Sequence, residues 1–109
     1  MSGSPLETSI VARYFNAAQL AKSLADENRL RILQCLGEGK QSVSALVEKL
    51  GLSQPLVSHH LRELKRTSLV RVERKGPFIY YQLADNKVLN LLQSLNKLAD
   101  LLIKSRISF

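Results

Sequence analysis

The stretch Ser42-Val43-Ser44-Ala45-Leu46-Val47-Glu48-Lys49-Leu50-Gly51-Leu52-Ser53-Gln54-Pro55-Leu56-Val57-Ser58-His59-His60-Leu61-Arg62-Glu63-Leu64-Lys65-Arg66 decides the fold of this 109-residue chain. Ser42 offers a side-chain oxygen to cap a helix, and Val43, Leu46, Val47 and Leu50 follow as an apolar stripe at helical spacing. Gly51 stands where a helix ends by turning left-handed. Ser53-Gln54-Pro55 then opens the next helix, with Ser53 as cap and proline tolerated in the first turn. Helix, short turn and helix over residues 42–66 make a helix-turn-helix, whose second helix enters the DNA major groove.

The second helix carries the argument further. At about 100° per residue, Val57, Leu61 and Leu64 share one narrow sector and must face a core. Gln54, Ser58, His59, Arg62, Lys65 and Arg66 fall on the opposite side, and Glu63 points away from them. A generic solvated helix would mix signs, whereas this sector suits a polyanion. Ser53 and Gln54 are expected where a recognition helix first meets base edges, Gln54 reading adenine with two bonds and Pro55 offering apolar surface beside them. Arg62 can bond guanine bidentately or grip phosphate, Ser58 and His59 can donate to either, and Lys65 and Arg66 are expected on phosphate.

After Thr67-Ser68 the apolar period changes from helical to two. Leu69, Val70 and Val72 lead to a Lys75-Gly76-Pro77 turn, and Phe78-Ile79-Tyr80-Tyr81-Gln82-Leu83 returns, which reads as a hairpin over residues 69–83. Arg71, Arg74 and Lys75 make it basic, so residues 53–77 hold six Lys/Arg against the two acids Glu63 and Glu73. Arg74 and Lys75 at the tip are expected on the DNA backbone. A charged hairpin beside a recognition helix is a winged helix.

Helices flank this unit. The first is expected over residues 4–24, from Ser4-Pro5-Leu6-Glu7 as a capping box or from Thr8 as the alternative cap, with Ile10, Val11, Tyr14, Phe15, Ala18, Ala21 and Leu24 at helical spacing. Asp26 caps a second helix carrying Leu30, Ile32, Leu33 and Leu36. A last helix over residues 86–104 bears Val88, Leu91, Leu95, Leu98 and Leu102, with Leu89, Leu92, Ala99 and Ile103 as a second stripe. One small domain can cover one such stripe, and a second calls for a partner chain. The interface of a homodimer is therefore expected on Tyr14, Phe15, Val88, Leu91, Leu95, Leu98 and Leu102. The fold class is mainly α with a small β-hairpin, in the order α-α-α-α-β-β-α, within a single domain over residues 1–109.

Composition narrows the function. Sixteen Lys and Arg against nine Asp and Glu give a net charge of +7, a balance that favours a polyanion. No run approaches the roughly 20 apolar residues that cross a bilayer, and the first residues carry no secretory pattern, so a cytoplasmic protein with no membrane partner is expected. The single cysteine, Cys35, excludes an internal disulfide and four-cysteine zinc sites. No Gly-rich phosphate loop or nucleophile–base pair appears, so no enzyme is expected.

Leu30-Arg31-Ile32-Leu33, the run Leu52-Ser53-Gln54-Pro55-Leu56-Val57-Ser58-His59-His60-Leu61-Arg62-Glu63-Leu64, and Tyr80-Tyr81-Gln82-Leu83 are similar to the ArsR family of winged-helix repressors. The similarity runs from about Ala21 to Asp85. It implies a homodimer that binds palindromic operator DNA, blocks transcription and releases when an effector binds.

The chain departs from the metal-sensing members of that family. Ser42 and Ser44 stand where a Cys-x-Cys ligand pair would sit, and hydroxyls are poor ligands for soft metals. Of an Asp-x-His pair at the last helix, Asp85 remains, but Lys87 takes the histidine position. No metal site and no cofactor is expected, and the effector stays unknown. Cys35, inside an apolar run, reads first as a small buried hydrophobe and second as a redox sensor. Two other functions stay open: an architectural DNA-binding protein with little sequence preference, and a winged-helix protein-interaction module.

Overall fold

The computed structural model describes residues 5–107, with side-chain surroundings for Ile10 and from Arg13 to Arg106. Ser4 lies outside the described residues, as do the side chains of Glu7, Thr8 and Val11. The elements run α1 (Pro5–Leu24), α2 (Glu27–Leu36), α3 (Val43–Leu50), α4 (Gln54–Arg66), β1 (Val70–Lys75), β2 (Phe78–Leu83) and α5 (Lys87–Ile107), in the order expected.

Local chemistry sets the helix starts. Asp26 Oδ1 accepts from Arg29 N at 3.1 Å, Ser42 Oγ from Ala45 N at 3.1 Å and Ser53 Oγ from Leu56 N at 3.3 Å. Each bond satisfies a backbone donor that the first turn leaves unpaired. Gly51 ends α3 at φ 66°, ψ 30°, its N–H donating to Val47 O. A side chain there would be strained, which is why the short turn between α3 and α4 holds glycine.

The core forms where the helix-turn-helix meets α2. Ile32 and Leu33 of α2, Leu46 of α3, and Val57, Leu61 and Leu64 of α4 are fully buried. Leu69, Val70 and Leu83 at the base of the hairpin and Leu92 of α5 close around them. β1 and β2 pair antiparallel from Val70↔Leu83 out to Lys75↔Phe78. The loop between α2 and α3 adds a single bridge to the hairpin: Gln41 N donates to Tyr81 O at 2.9 Å and Tyr81 N to Gln41 O at 2.8 Å. The buried Gln41 also donates from Nε2 to Cys35 O at 2.8 Å, so the hairpin is tied to the end of α2.

The end helices are covered on one side only. Val88, Leu89 and Leu92 of α5 pack on the core, while Leu91, Leu95, Leu98, Leu101, Leu102 and Ile103 are exposed. On α1, Tyr14 is 63% exposed and Phe15 65%. The radius of gyration, 17.1 Å, exceeds the roughly 13 Å of a compact 100-residue domain. The helices project beyond the body that their residues could cover.

The fully buried Leu61 supplies the stability prediction. Leu61→Ala is expected to lower unfolding free energy by about 2–5 kcal/mol, because a cavity adds to the lost transfer term. Gln93→Ala, on an exposed position of α5, should change it by less than about 0.5 kcal/mol. Urea denaturation at one fixed protein concentration measures both.

Candidate nucleic-acid interface

The buried trio of α4 fixes which way the rest of that helix faces. Gln54, Pro55, His59, Arg62, Lys65 and Arg66 are exposed, Ser53 is exposed at the cap, and Ser58 is half-buried. The Ser53 oxygen is engaged by the Leu56 amide, which leaves its hydroxyl proton free to point outward. Among the described residues no carboxylate pairs with Arg62 or Lys65. Arg66 differs: its Nη2 lies 3.4 Å from Glu63 Oε1, so the acid expected to point away reaches the last turn. Exposed pairs of this kind are weak and exchange readily for phosphate.

The register of the hairpin places its basic residues on both faces. Arg74 lies opposite Ile79, on the face that carries Val70 and Val72. Lys75 lies opposite Phe78, on the face of Arg71 and Glu73. Arg71, Arg74 and Lys75 are all exposed, and so is Phe78. Glu73 is held by two lysines, Lys40 Nζ at 3.0 Å and Lys75 Nζ at 3.8 Å. The hydrogen bond from Lys40 keeps the Glu73 carboxyl below its ordinary pKa and raises that of Lys40. Lys40 thus neutralises the one acid of the hairpin, and it does so from the loop before α3.

Of the residues expected at a dimer interface, Tyr14, Phe15, Leu91, Leu95, Leu98 and Leu102 are exposed, whereas Val88 is half-buried against the chain's own core. Leu101 and Ile103 join the exposed set. Leu20, Ala21 and Leu24 of α1 and Leu91 and Leu95 of α5 line an apolar groove of about 470 Å³.

The remaining chemical candidates have structural duties. Ser42 caps α3. Asp85 Oδ1 accepts from Lys87 N at 2.8 Å at the start of α5. Among the described residues no group of three His, Cys, Asp or Glu could hold a metal ion. Cys35 is half-buried beside an open cavity of about 390 Å³ between α2 and α5. Burial, then the Glu38 carboxylate, push its thiol above the ordinary pKa, while Lys49 and Arg31 act the other way. No described helix is long and apolar enough to cross a membrane.

Sequence reasoning missed a polar cluster behind α4. His60 is buried, and its Nδ1 accepts from Arg29 Nε at 3.2 Å. Its Nε2 lies 3.7 Å from Asp26 Oδ1. The signal was available: His60 falls on the apolar side of the helical wheel, beside Val57 and Leu64. Its partner, 31 residues away, was not marked by any local pattern.

Comparison with known proteins agrees with this geometry. Residues 26–72 match the family described as bacterial regulatory protein, arsR family. The HTH-type transcriptional regulator MJ1325 of Methanocaldococcus jannaschii is 32% identical over 87 residues, covering 79% of this chain and 98% of that protein. A transcriptional repressor SmtB homolog of Synechocystis is 40% identical over 74 residues, or 68% of this chain, which there spans just over half the relative's length (56%). Among solved structures, the homodimeric winged helix-turn-helix DNA-binding domain Mb0332 of Mycobacterium bovis superposes with a TM-score of 0.75 at 31% identity, covering 92% of this chain and 91% of that one. HlyU of Vibrio cholerae gives a TM-score of 0.71 at 34% identity, covering 79% of this chain and 94% of that one. A winged helix-turn-helix with these relatives identifies the chain as a member of the ArsR family of bacterial transcriptional regulators.

Proposed function

We propose that two copies of this chain bind a palindromic operator in double-stranded DNA and repress transcription until an effector releases them. The observation that carries the reading is the outward sector of α4, where Gln54, His59, Arg62 and Lys65 stand exposed with no acid among them. Ser53, Gln54, Pro55, Ser58, His59 and Arg62 meet base edges, and Lys65 and Arg66 hold phosphate. The wing lies along the backbone through Arg74 and Lys75. The exposed faces of α1 and α5 mate across a two-fold axis and set the two copies of α4 about 34–36 Å apart, one turn of DNA. Apolar surface of this extent on two projecting helices matches an isologous contact between identical chains. The chemistry of Ser42, Ser44 and Lys87 argues against a metal as effector.

Base-reading and phosphate-holding residues separate by their effect on specificity. Arg62→Ala and His59→Ala are expected to weaken binding to a duplex selected from a random pool by about 1–3 kcal/mol each, with a much smaller loss on bulk DNA. Fluorescence anisotropy with both duplexes reads the difference. Equal losses on the two would move these side chains to the backbone.

The wing should behave differently. Replacing Arg74 and Lys75 together by Gln removes up to two phosphate contacts per subunit and four per dimer. The slope of log K against log salt should shrink by about 3.6 if all are made, or about 1.8 if Lys75 stays with Glu73. A slope that does not move would take the wing off the DNA.

Assembly has its own test. Leu95→Glu with Leu98→Glu should yield monomers by sedimentation and abolish operator binding, while helix content survives. A stable monomer for the unmodified protein at micromolar concentration would contradict the two-fold arrangement.

A further inference from the structure

Behind the outward surface of α4 lies a small, partly buried polar assembly that joins three helices. His60 is only 4% exposed and Ser23, at the end of α1, only 5%. Arg29 of α2 donates from Nε to His60 Nδ1 at 3.2 Å and from Nη1 to Ser23 O at 3.3 Å. Thr67, which ends α4, donates to Ser23 Oγ at 2.9 Å. Asp26 Oδ1 caps α2 through the Arg29 amide and also lies 3.7 Å from His60 Nε2. α4 is therefore held to the junction of α1 and α2 at its middle, by an imidazole, and at its end, by a hydroxyl.

The bond at the middle works in one protonation state. A guanidinium only donates, so His60 Nδ1 must carry a lone pair, and the ring proton sits on Nε2 facing Asp26. A second proton on Nδ1 would point at Arg29 Nε–H, setting donor against donor and cation against cation beside a ring that is itself nearly buried.

We propose that neutral His60 is a positioning residue for DNA binding: by accepting from Arg29 it holds the recognition helix in its binding orientation, and its protonation releases that hold. The inference rests on the reading of α4 as the recognition helix. It differs from a direct contact, because His60 faces the core and only its neighbours face DNA.

The charges around the ring come from two elements. From α2 and its cap, Arg29 disfavours the cation and Asp26 favours it; from α4, His59 disfavours it. Lys22 of α1 and Glu63 and Arg66 of α4 surround the adjoining cavity that Arg29 lines. Burial is the largest influence, and the net effect pushes the His60 pKa below its ordinary value. For a lowered histidine the unfolded chain binds the extra proton more readily. Stability from the neutral ring is thus present above about pH 6.5 and is lost as pH falls through the lower folded value. DNA affinity should follow, since the bound state needs the neutral ring.

That direction is diagnostic. Acidification ordinarily adds positive charge to a protein and strengthens its hold on phosphate. Here it should weaken the hold, by up to about tenfold per pH unit per subunit once the pH is below the His60 value.

The experiment measures affinity for a duplex selected at pH 7.5 from a random-sequence pool, between pH 8 and 5, with circular dichroism establishing that the protein stays folded. The unmodified protein should lose affinity on acidification. His60→Gln, whose amide oxygen can accept from Arg29 but does not titrate, should bind within a few-fold at pH 7.5 and show a flat or reversed profile. His60→Leu, which fills the space but accepts nothing, should bind weakly at every pH. Nitrogen-15 imidazole spectra of the unmodified, DNA-free protein should show the Nε2–H form of His60 at pH 7.5, a readout that needs no variant to fold. An Nδ1–H form overturns the proposal, as does unchanged or rising affinity on acidification, or one acid-weakened profile shared by the unmodified protein and His60→Gln. Absence of DNA binding at pH 7.5 would instead overturn the reading of α4 itself, and the two failures are distinct.

Discussion

Burial of Val57, Leu61 and Leu64 against Ile32, Leu33 and Leu46 is the constraint on which the rest of this structure depends. Each such side chain contributes about 1.5–3 kcal/mol when fully buried, whereas an exposed ion pair contributes about 0–1 kcal/mol. Packing therefore sets the rotation of α4, and the charged residues take the sector that remains. With the apolar trio inward, Gln54, His59, Arg62 and Lys65 face out together. The caps Ser42 and Ser53 and the left-handed Gly51 fix the turn that presents this helix. The proposed function follows from a rotation that the core determines.

The same core bears on the proposed pairing of two copies. It is small, and residues of the hairpin base and one face of α5 complete it. Tyr14, Phe15, Leu98 and Leu102 stay more than half exposed. An apolar groove between α1 and α5, lined by Leu24 and Leu91 among others, continues that surface. A domain of this size would gain cover from a second copy, and the proposed two-fold pairing would give two recognition helices for one stretch of DNA. Stability and DNA spacing would then rest on one interface, so an effector that disturbs α1 or α5 can reach both.

Much of this was legible in the sequence because it is local. The caps Asp26, Ser42 and Ser53, the turn at Gly51 and the change of period after Ser68 each lie within a few residues of what they determine. The outward sector of α4 followed from its wheel alone. What escaped depends on residues far apart in the chain. Arg29 meets His60 across 31 residues, Lys40 reaches Glu73 across 33, and the backbone of Gln41 pairs with Tyr81. No periodicity announces such pairs. The wheel of α5 puts Val88 in the interface stripe of Leu91, Leu95, Leu98 and Leu102; packing instead takes Val88, together with Leu89 and Leu92 of the second stripe, onto the chain's own core and leaves Ile103 of that second stripe exposed. His60 was the one place where the wheel held an unread message, a polar residue in an apolar sector.

The central claim is that the face of α4 opposite the core is the one that enters DNA. An NMR titration of isotope-labelled protein with a selected duplex, at about 0.15 M salt, tests it residue by residue. The account predicts that signals of residues 53–66 and of the wing at Arg71, Arg74 and Lys75 shift on binding, while those of α5 at Leu95 and Leu98 stay in place. Shifts confined to α1 and α5, with the exposed side chains of α4 unmoved, would contradict it.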